Sequence, residues 1–284
     1  MTFDQLQPVT VGDLTFDVRT LGPDDGEPVV LLHGFPETSL SWSAVAPALA
    51  DAGFRVIAPD QRGYSPDARP SAVADYAMEH LVDDVLGLAD ALGLDTFHLV
   101  GHDWGAAVAW AVASHHGDRL RTLTAVSVPH LAAFNAALRN DADQQERASY
   151  FGLLRQEGKA EDVLAEEDGR RLRAMYDGKI PATHVDAYLD FFHDRAALTG
   201  ALAWYRAMTA ALADLPSVSV PTTYVWSDGD GAIGRASAEA CVDHLTGPFG
   251  FVELEGISHW IPEEAPDVLA DAILERVRAG ASDT

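Results

Sequence analysis

The sequence predicts an α/β protein with a mostly parallel central sheet, helices on both faces of that sheet, and a helical cap inserted late in the chain. Three observations lead to this prediction. Short apolar runs alternate with helical patterns along the first part of the chain. The alternation stops after residue 129, and no convincing strand pattern appears again before residue 217. Strand and helix patterns then resume.

The predicted strands have two kinds of pattern. Continuous apolar runs such as PVVLLHG are typical of parallel strands buried on both faces. We expect such strands at 28–34, 54–60, 97–103, 123–129 and 222–228, with a further strand in FGFVELEG at 249–256. LTFDVRTLG, at 14–22, instead alternates apolar and polar residues, which predicts an outer antiparallel strand.

The predicted helices of the core lie between these strands. Their patterns are SWSAVAPALADAG at 41–53, EHLVDDVLGLADALG at 79–93 and GAAVAWAVASHH at 105–116. Parallel strands need crossover connections of this kind, and the helices then cover both faces of the sheet.

The strandless stretch divides the chain into three parts. We expect residues 1–129 and 217–284 to form the α/β core, and residues 130–216 to form a helical cap. The simpler alternative is that these helices cover one face of the sheet. A cap is favoured because ligands in open α/β sheets bind outside the carboxyl ends of the strands, where this insertion begins.

Composition limits the function classes. The 284 residues carry a formal net charge of -25, which argues against nucleic acid and anionic membranes as partners. No window is apolar and long enough to span a bilayer, and the N-terminus lacks the pattern of a signal peptide. Cys241 is the only cysteine, so an internal disulfide is impossible. We expect a cytoplasmic protein, and the sequence leaves a homodimer open.

The stretch LVGHDWGAAVAW has the layout of a nucleophile elbow, in which a strand meets a helix at a tight turn between two glycines. Asp103 takes the central position, between Gly101 and Gly105. The turn presents this side chain at a helix N-terminus, where the helix dipole favours a carboxylate. The alternative is that Asp103 has a structural role only, as the N-cap of the helix. The motif favours a nucleophile.

A second loop can contribute a hydrogen-bond donor next to Asp103. LLHGFPE ends a strand in His33 and Gly34, and the backbone N–H of Phe35 can be aimed, together with that of Trp104, at one oxygen. Two such N–H groups form an oxyanion hole. An ordinary turn is the alternative for this loop. A structural hydrogen bond is the favoured role of His33.

A base and an acid are expected late in the chain. LEGISHWIPEEAP supplies His259 in a loop between a strand and the last helix. VWSDGDGAIG supplies Asp228 and Asp230, and spacing alone does not choose between these two acids. The other histidines, His102 among them, are interpreted as surface or packing residues. No metal motif, phosphate loop or dinucleotide fingerprint is found, so no metal and no cofactor are predicted.

Together these residues identify a family. The chain resembles the α/β-hydrolase superfamily and, within it, the epoxide hydrolases, through HGFPE, DQRGYSPD, GHDWGA, the acid loop and SHWIPEEAP. The resemblance implies an α/β-hydrolase fold with Asp103 as nucleophile and His259 as general base. In the family pattern W-G-x-x-D the acid is the last residue, which here is Asp230, with Ser227 in place of the usual glycine.

The resemblance also implies two tyrosines that hydrogen-bond and protonate the epoxide oxygen. One tyrosine precedes a stretch resembling FQEPGxAE. SYFGLLRQEGKAE aligns with it without gaps on Gly158, Ala160 and Glu161 and puts Tyr150 at the tyrosine position, with Glu157 where the pattern has proline. LAWYRAM aligns with an NWYR-like segment and gives Tyr205. Helix packing is the alternative role for each tyrosine taken alone.

A carboxylate nucleophile suits displacement at a saturated carbon, because its attack on an ester would give an anhydride. The expected reaction converts a small apolar epoxide and water to a vicinal diol through an ester on Asp103. We expect an apolar, aromatic-lined pocket, with Pro36, Phe151, Trp204 and Trp260 in its wall.

Two alternatives stay open. A haloalkane or haloacid dehalogenase would use the same nucleophile, and Trp104 could offer its indole N–H to a halide. Phe35, however, stands where haloalkane dehalogenases commonly carry asparagine or another polar residue, and Trp104 stands where haloacetate dehalogenases typically carry arginine. A non-catalytic binding protein of the same fold would be favoured if a member of the Asp103, Asp230 and His259 set were missing, but all three are present.

Overall fold

The computed structural model describes residues 3, 5–176, 178–208 and 215–281. Its centre is an eight-stranded sheet in the order β1-β2-β4-β3-β5-β6-β7-β8. Strands β1 and β2 are antiparallel to their neighbours, and β3 to β8 are parallel. The strands are β1 Leu6–Val11, β2 Leu14–Leu21, β3 Glu27–Leu32, β4 Phe54–Pro59, β5 Phe97–His102, β6 Leu120–Val126, β7 Thr222–Ser227 and β8 Phe249–Leu254.

This architecture confirms the predicted fold class, with one difference at the edge. Strand β2 is antiparallel as its alternating pattern predicts, but it is the second strand of the sheet. Strand β1 lies outside it and is largely exposed, because its side chains find little apolar surface to cover. The run LQPVTV lacks the continuous apolar character that identifies the central strands.

Helices cover both faces of the sheet. Leu81 and Val85 of α2 and Trp110 of α3 pack in one core cluster, whereas Leu49 of α1 and Ile273 of α12 pack in a second cluster on the other face. These helices are α1 Ala46–Asp51, α2 Met78–Ala91, α3 Trp104–His115 and α12 Pro266–Ala281.

Between β6 and β7 the described residues form helices and no strand. These helices, which we call the helical segment, are α4 Leu131–Asn140, α5 Ala142–Arg147, α6 Phe151–Leu154, α7 Lys159–Met175, α8 Ala182–Phe192 and α9 Arg195–Ala207. Helix α7 is interrupted by non-helical backbone at residues 166–169. Two short helices in the second part of the core are α10 Arg235–Glu239 and α11 Ile261–Glu264.

The parallel strands bring six loops to one edge of the sheet. The loops that follow β3, β4, β5, β6, β7 and β8 all start at the carboxyl ends of their strands. In the described part of the chain, no helix is long and apolar enough to cross a membrane.

Candidate active site

Asp103 sits on a strained turn between β5 and α3. Its backbone has φ 51° and ψ -118°, a conformation that L-residues rarely adopt and that is typical of functional turns. The flanking glycines are required by close approach. A Cβ at Gly101 would lie 2.2 Å from the Gly105 carbonyl oxygen, and a Cβ at Gly105 would lie 2.2 Å from the Leu32 carbonyl oxygen.

The two oxygens of the Asp103 carboxylate have different surroundings. The backbone N–H of Phe35 donates to Oδ1 at 2.9 Å. Gly34 permits this contact, because a Cβ there would lie 2.5 Å from Oδ1. Oδ2 faces His259 instead, with 3.4 Å between Oδ2 and Nε2. Trp104 begins α3, so its N–H is one of the donors that have no partner within the helix.

His259 is held from its other ring nitrogen. Nδ1 lies 3.0 Å from both carboxylate oxygens of Asp230. The backbone N–H groups of Ala232 and Ile233 donate to Oδ1 of Asp230, at 2.7 and 3.0 Å. Asp228, the other candidate acid, is exposed and accepts from the N–H of Gly256. The structure therefore places Asp230, and not Asp228, behind the imidazole.

Ser127 completes this group, and sequence reasoning missed it. Its hydroxyl donates to Oδ2 of Asp230 at 2.7 Å and lies 2.9 Å from Nδ1 of His259. The residue follows β6 and has φ 68°, the left-handed region that favours glycine. A residue in this conformation at a strand end points to a functional turn, but a serine in SVPH carries no sign of it in the sequence.

The charges of this group shift its pKa values in opposite directions. Burial acts to lower the pKa of His259, but the carboxylates of Asp230 and Asp103 outweigh it and hold the pKa well above its usual range. Burial acts to raise the pKa of Asp230, but the adjacent His259 outweighs it and lowers the pKa. The neighbouring carboxylates thus favour the protonated form of the imidazole.

A second buried polar cluster lies beneath His259. Both ring nitrogens of His102 contact oxygen atoms at 2.9 Å, one on the carboxylate of Glu37 and the other on the backbone carbonyl of His259. Glu37 in turn lies near Glu263, and its charge, after burial, raises the pKa of Glu263. His102 is thus a buried link in the support of His259. The sequence interpretation as a surface or packing residue is only half right, because the ring is packed but polar in its contacts.

His33 is also buried and takes no part in this chemistry. Its Nε2 accepts from the N–H of Gln61 at 3.2 Å, and its carbonyl accepts from the Gln61 side chain at 2.7 Å. These bonds join the loop after β3 to the loop after β4. His33 has the structural role that the sequence favours.

The helical segment brings two tyrosines to the same place. The ring of Tyr205 in α9 lies 5.1 Å from Trp104 and 5.5 Å from Phe35 between centroids. The rings of Tyr150 and Tyr205 are 6.4 Å apart, and Phe151 contacts both. Burial, and then nearby charge, raises the pKa of both phenols far above neutrality, so each keeps its proton as a donor.

One cavity joins Asp103 to these tyrosines. Its other lining residues are mainly apolar and come from α3, the loops after β6 and β7, the first helices of the helical segment and the end of α9. The lining residues are Asp103, Trp104, Ala107, Val128, Leu131, Phe134, Asn135, Tyr150, Phe151, Tyr205, Met208, Ala232 and Ile233.

Only Phe151, of the four residues expected in the pocket wall, lines this cavity. The structure places Trp204 behind Trp104, with its indole N–H donating to the Arg62 carbonyl at 2.8 Å. Trp260 donates from its indole to the carbonyl of Met175. The carbonyl of Pro36 accepts from a tyrosine hydroxyl of the helical segment at 2.6 Å. These three residues hold the helical segment against the core.

The wall is formed instead by residues that no motif identified, such as Phe134, Asn135 and Ile233. Phe134 and Asn135 lie on α4, whose apolar residues look like those of any amphipathic helix. Among the residues that the structure describes, no group of three or more His, Cys, Asp or Glu side chains is placed to hold a metal ion.

Comparison with known proteins shows the family of the chain. The family model of the alpha/beta hydrolase fold matches residues 27–266. The chain is 32% identical to Epoxide hydrolase A of Mycobacterium tuberculosis, over 92% of this chain and 94% of that protein. It is 34% identical to an AB hydrolase superfamily protein of Bacillus subtilis, over 96% of this chain and 97% of that protein.

Solved structures give the same result. An epoxide hydrolase of the alpha/beta hydrolases superfamily, from metagenomes of hot environments, superposes with a TM-score of 0.86 at 32% identity, covering 98% of this chain and 99% of that chain. Epoxide Hydrolase A from Mycobacterium thermoresistibile superposes with a TM-score of 0.84 at 28% identity, covering 96% and 98%. As its motifs predicted, the chain therefore belongs to the alpha/beta-hydrolase superfamily and, within it, to the epoxide hydrolase family.

Proposed function

We propose that this protein is an epoxide hydrolase that opens small apolar epoxides to vicinal diols through an ester on Asp103. The observation that carries the proposal is one apolar cavity lined by a buried carboxylate, Asp103, and by two protonated tyrosines, Tyr150 and Tyr205. A carboxylate on one side and phenol donors on the other are what opening of a strained C–O bond requires. The relatives named as epoxide hydrolases support the same activity.

The first step is attack by Asp103 on an epoxide carbon. Oδ1 is occupied by the N–H of Phe35, so Oδ2 is the oxygen available for attack. Oδ2 forms a bond to carbon as the carbon–oxygen bond of the epoxide breaks. The electron pair goes to the epoxide oxygen, which takes a proton from Tyr150 or Tyr205. The result is a hydroxyalkyl ester of Asp103 and a tyrosinate.

Formation of the ester prepares His259 for the second step. The ester carries no charge, so one of the two carboxylates that raise the pKa of His259 is removed. The imidazolium then gives up its proton, which can restore the tyrosine. Neutral His259, held by Asp230, takes a proton from water, and the hydroxide attacks the ester carbonyl. The charge relation between the two residues thus couples base activation to ester formation.

The oxyanion hole serves this second step. Oδ1 becomes the carbonyl oxygen of the ester and already accepts from the N–H of Phe35 at 2.9 Å. The N–H of Trp104, free at the start of α3, is proposed as the second donor. The tetrahedral intermediate collapses as its bond to the alkyl oxygen breaks. That oxygen takes the remaining proton of the added water, which releases the diol and returns the carboxylate of Asp103. No cofactor takes part in either step.

The division of the chain follows the same proposal. Residues 1–129 and 217–284 carry Phe35, Asp103, Asp230 and His259 and act as the core. Residues 130–216 carry both tyrosines and act as the cap. The cap thus supplies the proton donors for ring opening, and the core supplies the nucleophile and the groups that hydrolyse the ester.

A paired assay tests the function. Purified protein is incubated with styrene oxide and 1,2-epoxyhexane, and in parallel with 1-chlorohexane and 1-bromohexane. We expect diol from the epoxides and no halide release. Asp103→Ala should abolish turnover, whereas Asp228→Ala, an exposed carboxylate of the acid loop, should keep it. Halide release without diol formation would identify a dehalogenase, and binding without turnover would identify a non-catalytic member of the fold.

We also propose a location for the protein. We place the protein in the cytoplasm, and the buried Cys241, which forms no disulfide, is consistent with a reducing compartment. Cell fractionation tests this location. Sedimentation of the purified protein distinguishes a monomer from the homodimer that the sequence leaves open.

A further inference from the structure

Glu161 and Arg206 form a buried ion pair between α7 and α9. Nη2 of Arg206 donates to Oε2 of Glu161 at 2.8 Å, and the two side chains are only 6% and 2% exposed, for arginine and glutamate respectively. The hydroxyl of Thr199 donates to the other carboxylate oxygen at 3.1 Å. No other ion pair between helices of the helical segment is buried to this extent in the described residues.

Stability alone does not explain such a pair. The desolvation of two charges offsets most of their attraction, so a buried ion pair is often no more stabilising than apolar side chains of similar size. Nε of Arg206 has no hydrogen-bond partner among the described residues, which adds to the cost. What a charged pair adds is a defined geometry, because it tolerates few alternative positions of the two helices.

That geometry determines the rotation of α9. Thr199 and Arg206 are seven residues apart, so they lie on nearly the same face of the helix, two turns from each other. Glu161 therefore contacts α9 at two points along one face. Tyr205 is the neighbour of Arg206 and points about 100° away around the helix. Any rotation of α9 about its axis moves the Tyr205 hydroxyl across the cavity.

Other contacts also hold α9: Trp204 donates its indole N–H to the Arg62 carbonyl at 2.8 Å on the core side, and the ion pair adds the fixed contact to α7. Gly200 meets the core backbone so closely that a Cβ would lie 2.7 Å from the carbonyl oxygen of Gly63. Because no side chains interlock at this contact, it fixes the distance of α9 from the core more than the rotation of α9. Arg155 donates to the carbonyl of Tyr205 at 3.1 Å, which links α9 to the segment that begins with Tyr150.

We propose that Glu161 and Arg206 are positioning residues that set the rotation of α9 and so aim the Tyr205 hydroxyl at the epoxide oxygen. The inference rests on the proposed function. It makes a specific claim about the two steps: the pair serves ester formation, which needs the tyrosine proton, and not ester hydrolysis, which uses His259 and the core.

The test separates the two steps in the full-length protein. The double variant Glu161→Leu with Arg206→Met replaces the pair by apolar side chains of similar size. Styrene oxide is mixed with excess enzyme in a quench-flow instrument, and the ester on Asp103 is followed by mass spectrometry as it forms and decays. We expect ester formation to slow by about tenfold or more, while the decay rate changes by no more than about twofold.

A matched control and a second variant complete the test. Arg173 and Asp186 form an exposed ion pair between α7 and α8, and Arg173→Met with Asp186→Leu should leave both rates unchanged. If the first double variant does not fold, Arg206→Lys retains the charge but shortens the reach, and it should slow ester formation alone. Equal ester formation in wild type and variant, or equal loss in both steps, overturns the inference. Failure of the wild type itself to form an ester overturns the proposed function as well.

Discussion

Nε2 of His259 lies 3.4 Å from Oδ2 of Asp103. The N–H of Phe35 donates to the other carboxylate oxygen, Oδ1. The imidazole is therefore close to the atom that would form the ester bond, and a water between them after alkylation would contact both the base and the ester. At the same time, the negative charge of Asp103 holds the imidazole in its protonated form. In the proposed mechanism, this contact keeps the base protonated before alkylation and lets it lose its proton afterwards.

His259→Gln should trap the intermediate. Glutamine keeps a polar side chain at this site but cannot take the proton from water, so the first step proceeds and the second does not. Incubation with styrene oxide should add one substrate mass to the protein, and peptide mapping should place it on Asp103. His80→Gln, on the exposed face of α2, should turn over normally and show no adduct. A variant that stays unmodified would argue against the two-step scheme.

Asp103→Asn should lower the pKa of His259. The substitution removes one of the two carboxylates that outweigh the effect of burial, but it keeps the shape of the side chain. An NMR titration of the imidazole should show the wild-type residue protonated through neutral pH and the variant losing its proton at lower pH. Asp228→Asn is the control, since that carboxylate is exposed and bonded elsewhere. An unchanged titration would contradict the proposed activation of the base by alkylation.

Tyr150→Phe combined with Tyr205→Phe should abolish epoxide opening. Both rings stay in place, and only the proton donors are lost, so kcat/KM should fall by about 10²–10⁴-fold. The rate of ester formation should carry the loss. Tyr76→Phe removes a buried hydroxyl that donates to the Pro70 carbonyl, and it should leave the rate of ester formation unchanged. Full activity of the double variant would mean that the proton comes from another group.

Glu263→Gln should change how stability depends on pH. Burial and the adjacent charge of Glu37 raise the pKa of Glu263 from 4.5 to about 10, so the folded protein holds a proton that the unfolded chain releases. Stability should therefore fall as pH rises between these values, by about 1.4 kcal/mol per pH unit at most. The glutamine variant lacks this decline and should unfold at higher temperature than wild type above pH 7.

Thermal unfolding from pH 5 to pH 9 measures this effect. Glu275→Gln, on the exposed surface of α12, should follow the wild-type curve. The carboxyl of Glu263 also accepts from the hydroxyl of Tyr188 at 3.0 Å, which joins α8 of the helical segment to α11 of the core. Parallel curves for wild type and Glu263→Gln would show that Glu263 is ionised in the folded state.

Structural features that depend on local chemistry were predictable from the sequence alone. Continuous apolar runs predict the parallel strands because both of their faces are buried, and the glycines around Asp103 predict the tight turn because no other residue fits. The edge strand β1 escaped prediction, since an exposed strand needs no distinctive pattern. The predicted roles of Asp103, His259 and both tyrosines come from the family motifs, all of which are short and local.

The remaining features of the site depend on contacts between distant parts of the chain, and they became visible only in the fold. It separates Asp230 from Asp228, which look alike in sequence, because only the former faces His259. It brings Ser127 beside the same imidazole, and it turns Trp204 and Trp260 away from the cavity that their aromatic character suggested. Hydrogen bonds and burial at the site depend on which strand ends and helices become neighbours, and a short stretch of sequence does not specify its neighbours in the fold.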